Sequence, residues 1–313
     1  MTGFLGSGKT TLLRDFLALP EAADTAVIVN EVGAIGLDGA IIAEDGGIPV
    51  TLLSNGCICC MTGGDLERAV ERLLAVRAQA GLPPPSRVVL ETSGVSKPGP
   101  ILRSLAALAP LRMRIAVVST FDCTRGTAVA EFEEAAAQWA GAQTIVLTKL
   151  DAVDEAGRAD ARAAATGVNP LATLIDEADR TAAVRTAFEL NGAKPRSLVA
   201  TALAEGAAHP RIRVLLVRFS APVRWDDLAA FLDGLAGFCG DRLLRVKGVV
   251  GVTDAGAPVL VQSVGTLFSP PRSFAGYQGE ADFLVLIVRD LGAEELAPLA
   301  GALPVTLTET ARG

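Results

Sequence analysis

Gly3-Phe4-Leu5-Gly6-Ser7-Gly8-Lys9-Thr10 fits the pattern G-x-x-x-x-G-K-[ST] at every specified position. Glycines at these places let the backbone curl so that successive N–H groups face one anion, and the helix that follows adds its positive end. Lys9 is expected to reach the β- and γ-phosphates of a nucleotide, and Thr10 to ligate Mg²⁺. Gly3, Gly6, Ser7, Gly8, Lys9, Thr10 and Thr11 form the expected phosphate-binding set, with Lys9 also catalytic. The plainer alternative is a glycine-rich turn before a helix. Such a loop normally follows a buried strand, yet only Met1 and Thr2 precede Gly3. An upstream in-frame apolar segment is expected to supply that strand, since a sheet lacking it would leave neighbouring backbone groups unpaired.

Outward from the loop, Leu12, Leu13, Phe16 and Leu17 share one helical face that stops before Pro20. Short apolar runs at residues 26–29, 51–53, 87–90, 115–118 and 144–147 then alternate with helical patterns, among them residues 65–80 with Leu66, Ala69, Val70, Leu73 and Leu74. This βαβ rhythm predicts an α/β fold of the P-loop NTPase kind, a mostly parallel sheet covered by helices, over residues 1–205. The pattern loosens around residues 191–210. A smaller α+β domain is expected over residues 211–313. Its predicted order is a strand at 213–219, a helix at 225–235, a strand pair across Asp254-Ala255-Gly256, a strand at 283–288 and a last helix near Glu294.

At 313 residues, half of them hydrophobic, the chain is long enough for a substantial core. Its net charge of −7 argues against nucleic acid and anionic membrane as partners, so any phosphate site has to be built locally. The longest apolar run, residues 283–288, falls far short of the roughly 20 residues of a membrane span. No charged and then apolar leader opens the chain, so a cytoplasmic protein is expected. Lysine is scarce, and two of its few positions, Lys9 and Lys149, fall in nucleotide motifs, where a compact ammonium acts differently from a guanidinium.

Three further stretches carry chemistry. The apolar run at 87–90 leads into Glu91-Thr92-Ser93-Gly94, where Glu91 can hold Mg²⁺ through water or orient the attacking water, and Ser93 and Gly94 can sense the γ-phosphate. A solvated residue or a helix cap is the competing reading of Glu91. Thr148-Lys149-Leu150-Asp151 follows another strand. Asp151 can accept from both N1–H and the exocyclic amine of guanine, a donor pair adenine lacks, while the Lys149 stem lies over the base. Asn30-Glu31-Val32-Gly33-Ala34-Ile35-Gly36-Leu37-Asp38 reads as a switch that orders around Mg²⁺ and the γ-phosphate, or as a glycine-containing surface loop.

Cys57, Cys59 and Cys60 crowd into Asn55-Gly56-Cys57-Ile58-Cys59-Cys60, and thiolates so placed suit Zn²⁺ or a similar ion with an exchangeable position left open. A buried apolar cluster and a redox pair remain as alternatives. Cys123 and Cys239 read as core. His209, the only histidine, has nothing ligand-like around it in sequence.

Taken together, these motifs resemble the CobW family of P-loop GTPases, relatives of the nickel-enzyme maturation GTPases that act as metallochaperones or metal-insertion factors. The stretches at 2–13, 30–39, 55–60, 91–94 and 148–151 occur in that family's order, and residues 241–248 and 261–264 look like its C-terminal domain. The resemblance implies GTP hydrolysis, with GTP and Mg²⁺ as cofactors. It also implies nucleotide-dependent delivery of Zn²⁺ or another transition metal, Co²⁺ included, to a client apo-enzyme. Cys59 would be central among the metal ligands, flanked by Cys57 and Cys60; a homodimer is left open. Val29 and Ala34 stand where the family's switch often has carboxylates, so a mixed Cys/Glu site is not expected, and the histidine-rich tract of some members is absent. Two other function classes compete: a P-loop ATPase or kinase acting on a small molecule, and a nucleotide-gated module whose cysteines sense redox state.

Overall fold

The computed structural model describes residues 1–30, 50–53, 65–189, 209–275, 277 and 281–310. Two runs of parallel strands make up the first half. One is ordered β3 (Val50–Leu53), β2 (Thr25–Asn30), β4 (Arg87–Thr92); the other is β1 (Thr2–Gly3), β5 (Val118–Asp122), β6 (Thr144–Thr148), β7 (Thr173–Ile175). Met1 joins them, its amine donating to the Leu90 carbonyl at 2.5 Å and its carbonyl accepting from Thr92 N–H at 3.0 Å. Residues 1–3 thus occupy the slot between β4 and β5 and pair with both neighbours over their short length.

Strand β2 shows why these segments read as unbroken apolar runs. Val27 and Val29 face one side, against Leu12, Leu13 and Phe16 of α1 (Lys9–Leu17) and Val184 and Phe188 of α6 (Arg180–Phe188). Ala26 and Ile28 face the other, against Leu66, Val70 and Leu73 of α2 (Asp65–Gln79) and Ile101 of α3 (Pro98–Leu105). A parallel strand covered on both faces has no polar side to show.

One expected strand is displaced. The apolar run at 115–118 predicts β5 there, whereas β5 starts at Val118 and continues through Ser119 and Thr120 to Asp122. Ser119 and Thr120 are fully buried. Their small hydroxyl side chains sit where β5 passes beside β1 and the loop after it, a position that hydrophobicity cannot reveal.

Helices α4 (Glu133–Gly141) and α5 (Glu155–Val168) cover the β5–β6 region and meet the second half of the chain. That half is an antiparallel sheet ordered β11 (Leu267–Phe268), β10 (Val259–Val264), β9 (Leu243–Val250), β13 (Phe283–Arg289), β8 (Ile212–Phe219), β14 (Val305–Glu309), with β12 (Arg272–Ser273) also on β10. Central strand β13 is buried on both sides. Phe283, Val285 and Ile287 pack toward Trp139 and Ala140, and Leu284, Leu286 and Val288 toward Leu228, Phe231 and Leu235 of α7 (Trp225–Cys239). A short α8 (Ala293–Leu296) follows near Glu294 as expected. Among the described residues no helix is long and apolar enough to cross a membrane.

Between the halves, buried Arg245 on β9 donates to the carbonyls of Gly141 and Ala142, both at 2.9 Å, so a guanidinium joins the backbone cap bond from Ala142 N–H to the Trp139 carbonyl at the end of α4. Lys247 lies two residues further along β9, and burial followed by the charge of Arg245 lowers its amine to about 8. The native state therefore disfavours the charged Lys247 amine relative to the unfolded chain. Its cost stands in full below pH 8, then fades between 8 and the unfolded value of 10.5 as stability gains from the excess protons on the unfolded chain. Over that shift the contribution is about 3 kcal/mol at most. Buried Cys123 and Cys239, both raised by burial to about 11, act in the opposite sense above pH 9. The difference between Lys247→Met and wild type isolates the lysine: the variant should unfold at higher denaturant near pH 7 and lose that advantage by pH 10.5. A gap independent of pH would refute this reading.

Candidate functional site

Gly8 precedes α1 with φ of 88°, a left-handed turn that glycine adopts without strain. The first bond of the helical ladder is Leu12 N–H to the Gly8 carbonyl at 2.9 Å, so the amides of Lys9, Thr10 and Thr11 stand ahead of it, at the anion-binding end of a helix. Neighbouring strands brace the loop. Ser7 N–H donates to the Phe4 carbonyl at 3.1 Å, the Ser7 and Thr120 hydroxyls lie 2.6 Å apart, and Thr148 Oγ1 donates to the Ser7 carbonyl at 2.9 Å. Lys9 Nζ donates to the Phe4 carbonyl at 3.4 Å, which holds the ammonium beside the loop.

Glu91, buried at the end of β4, accepts a hydrogen bond from Thr10 Oγ1 at 2.7 Å. Residues 81 apart in the chain thus meet at the start of α1. A hydroxyl that gives its proton to a carboxylate keeps its lone pairs for a cation, and two hard oxygen donors beside a phosphate loop are a donor set that fits Mg²⁺.

Gly94 follows at close quarters, since a Cβ there would stand 2.8 Å from Leu5 N. Only glycine lets this turn lie against the backbone of the loop. Buried Gln138 of α4 fixes it from behind, donating to the carbonyls of Gly94 at 3.0 Å and Ser96 at 2.9 Å. Gly94→Ala should push the two backbones apart and slow nucleotide turnover by about tenfold or more. Wild-type turnover in that variant would show that the close approach is dispensable.

At the other end of the loop, Lys149 adopts φ of 58° and its ammonium lies 2.5 Å from Asp122 Oδ2, while Asp151 sits exposed on the next short turn. Burial alone would raise the Asp122 carboxyl, but the hydrogen bonds from Lys149 and Thr124 outweigh it and hold the group below the usual range. Neither Asp122 nor Gln138 carries a sequence signal beyond an acid at a strand end and a polar residue in an alanine-rich helix.

The expected switch residues 31–38 and Cys57, Cys59 and Cys60 lie outside the described residues. Among the described residues, no group of three or more His, Cys, Asp or Glu could hold a metal ion. Cys123 and Cys239 are buried thiols, as expected of core. His209 Nδ1 accepts from the backbone amides of Arg211 and Ile212 at 3.1 and 3.0 Å, which commits that nitrogen to the chain turn.

Residues 1–176 match the model of the CobW/HypB/UreG nucleotide-binding domain, and residues 212–302 match that of the cobalamin synthesis protein cobW C-terminal domain. The chain belongs to the CobW/HypB/UreG family. Similar members include the zinc chaperone YjiA of Escherichia coli, 30% identical over 283 residues and 86% of each chain. The zinc chaperone CobW of Pseudomonas aeruginosa is 27% identical over 95% of this chain and 88% of that protein. In fold the chain is similar to the Zn(II)-bound YjiA GTPase from E. coli, with a TM-score of 0.65 and 24% identity over 96% of both chains. Within this family fold, the parallel sheet carries the phosphate loop, Glu91 and Lys149 at one edge, and the antiparallel sheet packs behind α4.

Proposed function

We propose that this chain binds GTP, hydrolyses it, and couples that cycle to handing zinc to a client metalloprotein. The observation that carries the nucleotide half is the contact of Thr10 with Glu91 beside the loop of Gly3 to Gly8. Kinship with proteins named zinc chaperones supports the metal half.

In this reading the amides of Gly6, Gly8, Lys9, Thr10 and Thr11 take the phosphate oxygens while Ser7, bonded to the Phe4 carbonyl, braces the loop, and the Lys9 ammonium sets a point charge between the β- and γ-phosphates. Thr10 and Glu91 would hold Mg²⁺, which neutralises charge on the transferring phosphoryl group. Glu91 also orients the attacking water, and Gly94 brings the β4–α3 turn against the loop, where γ-phosphate loss is felt. Asp151 and Lys149, after Thr148, select guanine. Zinc is cargo, with Co²⁺ as a second candidate, held by thiolates of Cys57, Cys59 and Cys60.

Coupling requires that nucleotide change metal affinity, because a ligand shifts an equilibrium only by its differential affinity for two states. Zinc affinity with a non-hydrolysable GTP analogue should exceed that with GDP by about tenfold or more. Competition against a chromogenic chelator measures both, and equal affinities would remove the coupling. Cys59→Ser should abolish the nucleotide-sensitive component.

A further inference from the structure

Asp122 ends β5 with a nearly inaccessible carboxylate, its side chain 4% exposed. Oδ1 is taken up by the local turn, accepting from Thr124 N–H at 3.0 Å and Thr124 Oγ1 at 2.6 Å. That turn fixes the carboxylate plane. Oδ2 faces two cations, Lys149 Nζ at 2.5 Å and Arg125 Nε at 3.5 Å. Lys149 belongs to the expected base-reading element, whereas Arg125 has no place in any motif of the sequence.

Position gives Arg125 its meaning. A Cβ placed on Gly6 would stand 3.2 Å from Arg125 Nη2, so the guanidinium lies over the phosphate loop itself. Gly6 could carry no side chain without displacing it. Arg125 is 46% exposed and its pairing with Asp122 is long, so that ion pair is weak and leaves the donors available. A planar guanidinium offers several parallel N–H donors that match phosphate oxygens two at a time, which a lysine ammonium cannot do. In a chain of net charge −7, a cation kept above this loop by a buried carboxylate is local charge of the sign a nucleotide needs.

We propose that Arg125 is a second cationic contact to the phosphate chain of the nucleotide, presented over Gly6 by Asp122, which also anchors Lys149. The proposal rests on the GTP reading above. Asp122 is a positioning residue in this scheme, and Arg125 the group that touches ligand.

Calorimetric titration of the full chain with GTP, GDP and guanosine, in the presence of Mg²⁺, tests it. Arg125→Ala should weaken GTP and GDP by about tenfold or more and leave guanosine unchanged, with Arg125→Lys recovering part of the loss. Raising the salt concentration should shrink the wild-type advantage. In an Asp122→Asn background the cost of Arg125→Ala should fall, because the arginine is no longer aimed. Additive effects of the two substitutions would overturn the positioning role of Asp122. A folded Arg125→Ala variant that binds GTP like wild type overturns the contact, as does an equal loss for guanosine, which would mark Arg125 as structural only. Failure of the wild-type chain to bind GTP at all is a different result and removes the GTP reading itself.

Discussion

Lys9→Ala should reduce GTP hydrolysis by about three orders of magnitude, the largest single effect expected in this protein. Its side chain is only partly buried, so the fold should survive with its melting temperature nearly unchanged. What is lost is a point charge at the bond that breaks. Lys9 opens α1, and its ammonium already lies 3.4 Å from the Phe4 carbonyl, within reach of a phosphate cradled by the same loop. Lys9→Arg should fail nearly as badly, because a planar fork does not fit where a compact ammonium is held. Single-turnover phosphate release measures both variants. Hydrolysis within tenfold of wild type in a folded Lys9→Ala chain would mean that this loop is not where the chemistry occurs.

Asp151→Asn should cut GTP affinity by about a hundredfold, because two charge-assisted hydrogen bonds to guanine become at best one neutral bond. Xanthine offers one donor and one acceptor where guanine offers two donors, and the asparagine amide presents the complementary pair. Xanthosine triphosphate should therefore bind the variant better than GTP does. ATP should be indifferent to the change. Asp151 is exposed on the short turn of Leu150–Ala152, so a loss of affinity cannot be ascribed to a damaged core. Competition titrations with the three nucleotides decide the matter, and a variant that weakens ATP and GTP equally would favour a kinase or ATPase over a GTPase.

These two residues were legible because each acts within a motif of at most eight residues. A glycine turn, a lysine and a hydroxyl at fixed spacing announce a phosphate site wherever they fold, and the run of six apolar residues on β13 announces a strand buried on both faces. Asp122, Arg125 and Gln138 were not legible. Nothing near Asp122 in sequence says that Lys149, 27 residues on, will lie against it, or that Gln138 will hold the turn at Gly94 from 44 residues away.

The displaced strand β5 has the same cause. Hydrophobic pattern reports burial against apolar neighbours, and Ser119 and Thr120 are buried beside a phosphate loop, where Thr120 meets the hydroxyl of Ser7. From sequence alone came the family, the alternation of strands and helices, and the phosphate and base-reading motifs, because these depend on local backbone geometry and short-range spacing. Tertiary structure alone decided the contact of Thr10 with Glu91, the close approach of Gly94 to Leu5, the meeting of Lys149 with Asp122 and the place of Arg125 over Gly6, because each joins segments that follow different strands and that only the parallel sheet brings to one edge.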